Sequence, residues 1–165
     1  NNEIASESDN IRTYMNEQLE QNRRMVDIAN KLYEVAKNYS DGLAVFERKL
    51  EQSLFAACDY LADLLVKDRI DNRFLQEFCE KTGVSEVYIT DSEGKTVLCN
   101  NPSGIGFMLS KDPADQSHKF YQILKDPKLR VSEKLGIRDI DGKYFKFVGI
   151  SRKDSKGVIQ AGWGI

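Results

Sequence analysis

Three turns of the form Asp-x-x-Gly, each followed by a β-rich run, constrain the fold of this chain more than any other feature. They are Asp91–Gly94, Asp139–Gly142 and Asp154–Gly157. Asp side chains hydrogen-bond the backbone amides of a turn, and glycine adopts positive φ at little cost. The flanking residues are mostly β-branched or aromatic, which is typical of strands. We therefore predict an antiparallel sheet of five strands at Val87–Thr90, Thr96–Leu98, Leu129–Ile137, Lys143–Lys153 and Val158–Ile165.

The N-terminal half has the composition of long helices. No proline or glycine occurs from Glu3 to Tyr39, where strong helix formers dominate. Ser40-Asp41-Gly42 is predicted to end this helix and to cap a second one at Leu43–Val66, which carries a continuous apolar face. A third helix is predicted at Asn72–Thr82, with Gly83 ending it in a left-handed conformation. The expected fold class is α+β, with long N-terminal helices packed on the five-stranded sheet.

The predicted fourth strand carries apolar residues on both faces. Phe145 and Phe147 point to one side, while Val148 and Ile150 point to the other. A sheet covered on one side only would alternate apolar and polar residues. We therefore expect the long helices to cover one face and the segment Phe107–Leu124 to cover the other. Such a segment over a curved sheet tends to leave a small cavity, which is a usual place for a ligand.

Length and charge exclude several classes of function. A chain of 165 residues accommodates one domain with a core and an elongated appendage. Lys and Arg number 24 against 26 Asp and Glu, so the net charge of -2 provides no basic excess for nucleic acid, which we exclude as a partner. No apolar run approaches the roughly 18 residues needed to cross a bilayer.

The cysteines and the single histidine give no sign of a metal or cofactor site. Cys58, Cys79 and Cys99 are odd in number, far apart and without Cys-x-x-Cys spacing. A four-ligand zinc site would require all three together with His118. Buried cysteine more often acts as a small apolar residue. We predict no metal and no cofactor.

Catalytic patterns are equally weak. The single histidine excludes mechanisms that need two, and no serine or cysteine lies in a recognisable nucleophile motif. The acidic pair Asp139 and Asp141 flanks a turn, where carboxylates serve backbone capping. We predict that the protein is not an enzyme.

Three segments, taken in this order along the chain, resemble a known family of domains. They are Thr82–Gly94, Asp141–Lys153 and Gly157–Gly162. Over about residues 43–165 the chain resembles the single-Cache, PAS-like sensor domain of bacterial methyl-accepting chemotaxis proteins and sensor kinases. The resemblance implies a sensor that binds a small metabolite, such as an organic acid or amino acid, and transmits a helix displacement. It implies two parts: a helical stalk or coiled-coil segment at 1–42 and the sensor domain at 43–165.

The resemblance also implies a membrane-anchored parent protein with this domain on the extracytoplasmic side. Members typically have a transmembrane helix shortly before the helix that begins here near Leu43, whereas this chain has some forty polar helical residues there. That helix is either a stalk rising from the membrane or part of a cytoplasmic coiled coil. A cytoplasmic position therefore stays open.

A pocket for a small anion needs a few convergent donors and apolar walls. Arg138, Lys146 and Arg152 are the candidate donors, although a charged residue on a strand is usually a solvated edge. Aromatic and histidine side chains could form the walls and roof, although most such residues belong to the core or the helix surface. The full predicted ligand-binding set is Tyr88, His118, Tyr121, Arg138, Lys146, Arg152 and Trp163.

The apolar stripe from Met25 to Tyr39 has two interpretations. It packs on the second helix of the same chain, or it pairs with its counterpart in a homodimer, which we favour. The alternative to sensing is therefore a ligand-free dimerisation or protein-interaction module.

Overall fold

The computed structural model describes residues 2–164 and shows an α+β protein, as the sequence predicts; Asn1 and Ile165 lie outside the described residues. A long N-terminal helix precedes a mainly antiparallel β region with a short helix inserted in it. The elements are α1 (Asn2–Lys67), α2 (Asn72–Thr82), β1 (Glu86–Thr90), β2 (Thr96–Cys99), a short 3-10 helix (Pro102–Gly104), α3 (His118–Lys125), β3 (Val131–Ser132), β4 (Gly136–Ile137), β5 (Tyr144–Ser151) and β6 (Val158–Gly164).

The predicted break at Ser40-Asp41-Gly42 is wrong, because α1 continues through it without interruption. A glycine in an exposed helix costs only about 1 kcal/mol relative to alanine. The strong helix formers on both sides outweigh that cost, and no proline removes a hydrogen bond. The chain nevertheless divides between Val45 and Phe46 into two structural units.

The sheet has the strand order β2-β1-β6-β5-β3, and every pairing is antiparallel. The single strand predicted at Leu129–Ile137 is wrong: it is two short strands, β3 and β4, which both pair with β5. Glu133 N still donates to Phe147 O of β5 at 2.9 Å, but other backbone groups between the two strands bond elsewhere. Glu133 O accepts from Lys146 at 2.8 Å, and Leu135 N donates to Glu47 at 3.0 Å.

Both faces of the sheet are covered, as the apolar residues on β5 predict. On one face Leu54, Cys58 and Leu61 of α1 form a core with Val148 and Ile150. On the other face a second core lies between the sheet and the segment that joins β2 to β3, residues 100–130, here called the crossover. Its buried members are Leu109, Phe120, Ile123, Leu124 and Val158.

Two of the three predicted turns use a glycine at positive φ. Gly94 has φ 87 and Gly142 has φ 70. Gly157 is required for a different reason, since a Cβ there would lie 2.4 Å from Thr90 O. The end of α2 also matches the sequence prediction: Gly83 has φ 81, and its N–H bonds to Cys79 O.

Candidate functional site

A cavity of about 320 Å³ lies between the crossover and the second face of the sheet. The sheet contributes its floor through β1, β5 and β6, and the residues from β3 to β5 form one side. Its walls are largely aromatic, with rings from the sheet and from the crossover; these are Tyr88, Phe107, Phe120, Phe145 and Phe147. A mostly apolar cavity with a few polar groups is the usual form of a small-molecule site.

Gln116 fastens the crossover to the side of the cavity. Its Nε2 donates to Ile137 O at 2.9 Å, and its Oε1 accepts from Asp139 N at 2.9 Å. Within the crossover, Ser110 Oγ donates to Asp115 at 2.6 Å, and Ser110 N donates to Ser117 Oγ at 3.0 Å. The wall is therefore held by specific hydrogen bonds as well as by packing.

Arg138 reaches the cavity but is already paired with two carboxylates. Its guanidinium donates to Glu86 at 2.5 Å and to Asp141 at 2.5 and 3.1 Å, and it lies 3.8 Å from the ring centroid of Phe145. The hydrogen bond from Arg138 holds the pKa of Asp141 at about 2. Tyr88 also donates to Glu86, at 3.0 Å. The formal charge of Arg138 with its two carboxylates is negative rather than positive.

Two polar side chains that are buried or half-buried line the cavity without a partner among the described residues. Gln160 on β6 is 6% exposed, and its amide makes no hydrogen bond within residues 2–164. Glu133 is half-buried, and in the same part of the chain its carboxylate forms neither a hydrogen bond nor an ion pair. Burial raises the pKa of Glu133. Lys134 and Asp139 also line the cavity without a side-chain partner in residues 2–164, but both are exposed, so Gln160 and Glu133 are the less solvated groups left for a ligand.

Of the seven predicted site residues, the structure brings Tyr88 and Arg138 to the cavity. Lys146 lies on the opposite face, 2% exposed, and bonds to Glu47 at 3.3 Å. Trp163 shares that face, with its ring centroid 5.7 Å from that of Phe46. The reason is strand alternation, since Lys146 stands between Phe145 and Phe147 and pairs with Trp163 in register.

The other three predicted residues stabilise local structure away from the cavity lining. Arg152 holds the β5–β6 turn through Asp154 at 2.8 and 3.1 Å. His118 begins α3, and its Nδ1 lies 3.0 Å from Ser110 O. Tyr121 stacks against His118 with ring centroids 6.0 Å apart. A ligand-binding role for these three stays a prediction that the geometry does not favour.

The sequence prediction missed Gln160 and Glu133. A signal for Gln160 was present, because it is a polar residue in an otherwise apolar strand, on the same face as Gly162. Glu133 carries no such signal, since it lies between two strands of two residues each.

Metal binding and thiol chemistry have no support in the described chain. Residues 2–164 contain no group of three or more His, Cys, Asp or Glu side chains that could hold a metal ion. The three cysteines are free and buried, and burial raises the pKa of Cys58 to about 12. A thiol that stays protonated is a poor nucleophile. Over the same residues no helix is both long and apolar enough to cross a membrane.

A second concave surface, of about 780 Å³, lies between α2 and the part of α1 that begins at Leu50. Its apolar lining includes Leu54, Tyr60, Phe74 and Phe78. The charged side chains that reach it are exposed ones on α2, Glu77 and Lys81. It offers no buried polar group to orient a small molecule, so the cavity under the crossover is the better candidate.

No protein-family model and no curated protein matches this sequence. Solved structures that match include the Bacillus subtilis YkuI protein, with an EAL domain, in complex with substrate c-di-GMP and calcium. The TM-score is 0.51 at 12% identity, and the match covers 78% of this chain. It covers 34% of the YkuI chain, so the present chain corresponds to about a third of that protein. At this identity the likeness supports the fold alone.

Proposed function

We propose that this chain is the ligand-sensing part of a bacterial signal-transduction receptor of the single-Cache, PAS-like type. It binds a small metabolite in the cavity under the crossover and is not an enzyme. The observation that supports the proposal is the aromatic cavity into which Gln160 and Glu133 present unpartnered polar groups. In this proposal the parent protein is a membrane-anchored chemoreceptor or sensor kinase with the domain on the extracytoplasmic side; a cytoplasmic position is the alternative.

A route for the signal runs from the cavity wall to α1 through Lys146. Its ammonium donates to Glu47 of α1 at 3.3 Å, to Ser132 at 3.1 Å and to Glu133 O at 2.8 Å. Glu47 also accepts from Leu135 N at 3.0 Å. Residues 132–135 therefore bond to Lys146 and Glu47 and also line the cavity through Glu133. A ligand that moves these residues changes the bonds that hold α1.

The proposal predicts that a specific metabolite stabilises the protein. We would measure thermal unfolding across carboxylates, amino acids, amines and purines. A ligand at a hundred times its dissociation constant adds about 2.7 kcal/mol and raises the midpoint by several degrees. The matched variant Gln160→Leu, which removes the free amide at similar volume, should respond less. A compound that raises the unfolding midpoint of both proteins equally would not be bound as proposed. A panel in which no compound raises the midpoint would contradict the sensor role.

The second candidate function is dimerisation through α1. One observation on the N-terminal structural unit, which ends at Val45, favours it. Residues 25–39 carry apolar side chains over about half of the helix circumference, at about 100° per residue. All of the large ones are more than half exposed: Met25, Val26, Ile28, Leu32, Tyr33, Val35 and Tyr39. An apolar face of this width on a solvated helix is typical of a helix that associates with a partner.

This candidate predicts a self-association that depends on the apolar face. Leu32→Glu places a charge on that face and is expected to weaken a dimer by about tenfold or more, because a buried unpaired charge is costly. The control Lys31→Glu changes the neighbouring residue on the polar side and should leave the dimer intact. Sedimentation equilibrium measures both variants. A wild-type protein that stays monomeric over the whole accessible concentration range would exclude the candidate.

A further inference from the structure

The charges around the cavity do not suit an organic acid. Its one arginine, Arg138, is occupied by Glu86 and Asp141 on its edges and by Phe145 on its face. A carboxylate ligand that bound Arg138 would have to displace one of these partners. It would also lie beside Glu133, which is half-buried and unpaired within the described chain.

The acidic side chains that line the cavity form no ion pairs among residues 2–164. Two of them are Glu133 and Asp139. Burial raises the pKa of Glu133; the charge of Lys119 opposes the rise, that of Asp139 adds to it, and that of Lys146 opposes it. Like charges repel each other, so the charge of Asp139, which is itself exposed to solvent, disfavours the ionised form of Glu133. A cation between them would remove that repulsion.

The lysines near Glu133 do not pair with its carboxylate. Lys134 lines the cavity too, but it is exposed and forms no ion pair among residues 2–164. Lys119 of α3 is also exposed and unpaired in the same part of the chain. The ammonium of Lys146 bonds to the backbone oxygen of Glu133 and to Glu47. A ligand cation would therefore give the Glu133 carboxylate the direct partner that the described residues do not provide.

The rest of the lining fits the body of an organic cation. Aromatic faces attract ammonium groups, and they accept the alkyl or aryl part of the same molecule. Gln160, buried and unpartnered, supplies one further acceptor and donor. About 320 Å³ is room for roughly ten non-hydrogen atoms at about 30 Å³ each, the share of a water molecule in the liquid.

We propose that the ligand of this cavity is a small organic monoammonium ion with a compact apolar body. Its ammonium lies at Glu133, and its body packs on the rings of Phe107 and Phe147. The inference deepens the proposed sensing function and rests on it. It also departs from the organic acids that the family resemblance implies.

The test uses matched probes that differ only in the charged end. Phenethylamine, phenethyl alcohol and hydrocinnamate share one body; isoamylamine, isoamyl alcohol and isocaproate share another. In calorimetric titration of the full chain, the ammonium member of at least one series should bind at least about tenfold more tightly than its alcohol and its acid. The reason is that charge-assisted hydrogen bonds are stronger than neutral ones. A carboxylate that binds most tightly in its series, or equal binding of all three, would overturn the inference.

Variants at Glu133 assign the preference to that carboxylate. Glu133→Gln is expected to weaken the binding of the ammonium probe by about ten- to a hundredfold and to leave the binding of the alcohol nearly unchanged. Glu133→Asp, which keeps the charge, should retain the preference, and it serves as the second variant if the first does not fold. The control Glu80→Gln removes an exposed carboxylate on α2 and should change nothing. Unaltered ammonium binding in Glu133→Gln would contradict the assignment.

The ligand class and the sensing function are distinguished by different outcomes. If carboxylates or other members of the wider panel bind in the cavity and ammonium compounds do not, the ligand class is wrong and the sensing function stands. If neither the matched probes nor the panel bind, the sensing function fails and the ligand inference fails with it.

Discussion

Phe120→Ala is expected to lower the free energy of unfolding by about 3–5 kcal/mol, the cost of removing a buried phenyl ring. Phe120 is 2% exposed and belongs to the second core, between α3 and the sheet. The ring lies over Gly149 of β5 so closely that a Cβ on that glycine would be 2.6 Å from it. Its loss leaves a void next to the cavity and removes part of the cavity wall. Urea denaturation measures the change.

The control is Lys119→Ala, on the same helix one residue earlier, where the side chain is exposed. Its effect should stay within about 0.5 kcal/mol, as for most surface changes. A loss of less than about 1 kcal/mol for Phe120→Ala would mean that the crossover is not packed on the sheet as described. The cavity would then lack the rigid wall that a ligand site needs.

Lys146→Met is expected to lower the free energy of unfolding by about 1–3 kcal/mol. Removing one partner of a fully buried pair costs about 3–5 kcal/mol, but here the Glu47 side chain is 32% exposed and can recover some hydration. The substitution keeps the apolar stem and leaves Ser132 Oγ and Glu133 O without their donor. Because these bonds join the cavity wall to α1, amide hydrogen exchange at Leu135 should also accelerate.

The matched control is Lys153→Met, which removes a lysine paired with Asp63 at 2.5 Å on the surface. Both side chains of that pair are more than half exposed, at 54% and 60%, so the change should be below about 1 kcal/mol. If the two substitutions lowered the free energy of unfolding equally, Lys146 would contribute no more to stability than a surface lysine does. In that case the proposed route from the cavity to α1 would have to be abandoned.

Local signals predicted a large part of the fold because they act over a few residues. The bounds of α2 and its glycine terminus follow from composition and from the conformational freedom of Gly83. The double coverage of the sheet follows from the apolar residues on both sides of β5. The predicted break in α1 is wrong because the cap signal at Ser40-Asp41-Gly42 is weaker than the helix-forming strength of both flanks. The division of the third strand depends on Glu47, far away in the sequence, and no local pattern contains it.

The site was predicted less well, for two physical reasons. Residue type suggested Lys146 and Trp163, yet the parity of their strands already placed them on the face opposite Phe147. The sequence predicts Arg138 as a donor to the ligand, whereas its guanidinium already binds partners from β1 and from the turn before β5. Whether a charge is free or neutralised depends on tertiary contacts. Gln160 differs from the other residues of its apolar strand by being polar, whereas Glu133 could be recognised as a site residue only once the cavity was known.

The central claim is that a small molecule binds between the crossover and the sheet. It is tested most directly by Phe107→Trp in a Trp163→Phe background, which places the only indole on the cavity wall. The wild-type protein, whose indole lies on the opposite face beside Phe46, is the control. Any ligand that raises the unfolding midpoint should change the emission of the introduced indole strongly and that of Trp163 little. A stabilising ligand that alters Trp163 and leaves the introduced indole unchanged would contradict the claim.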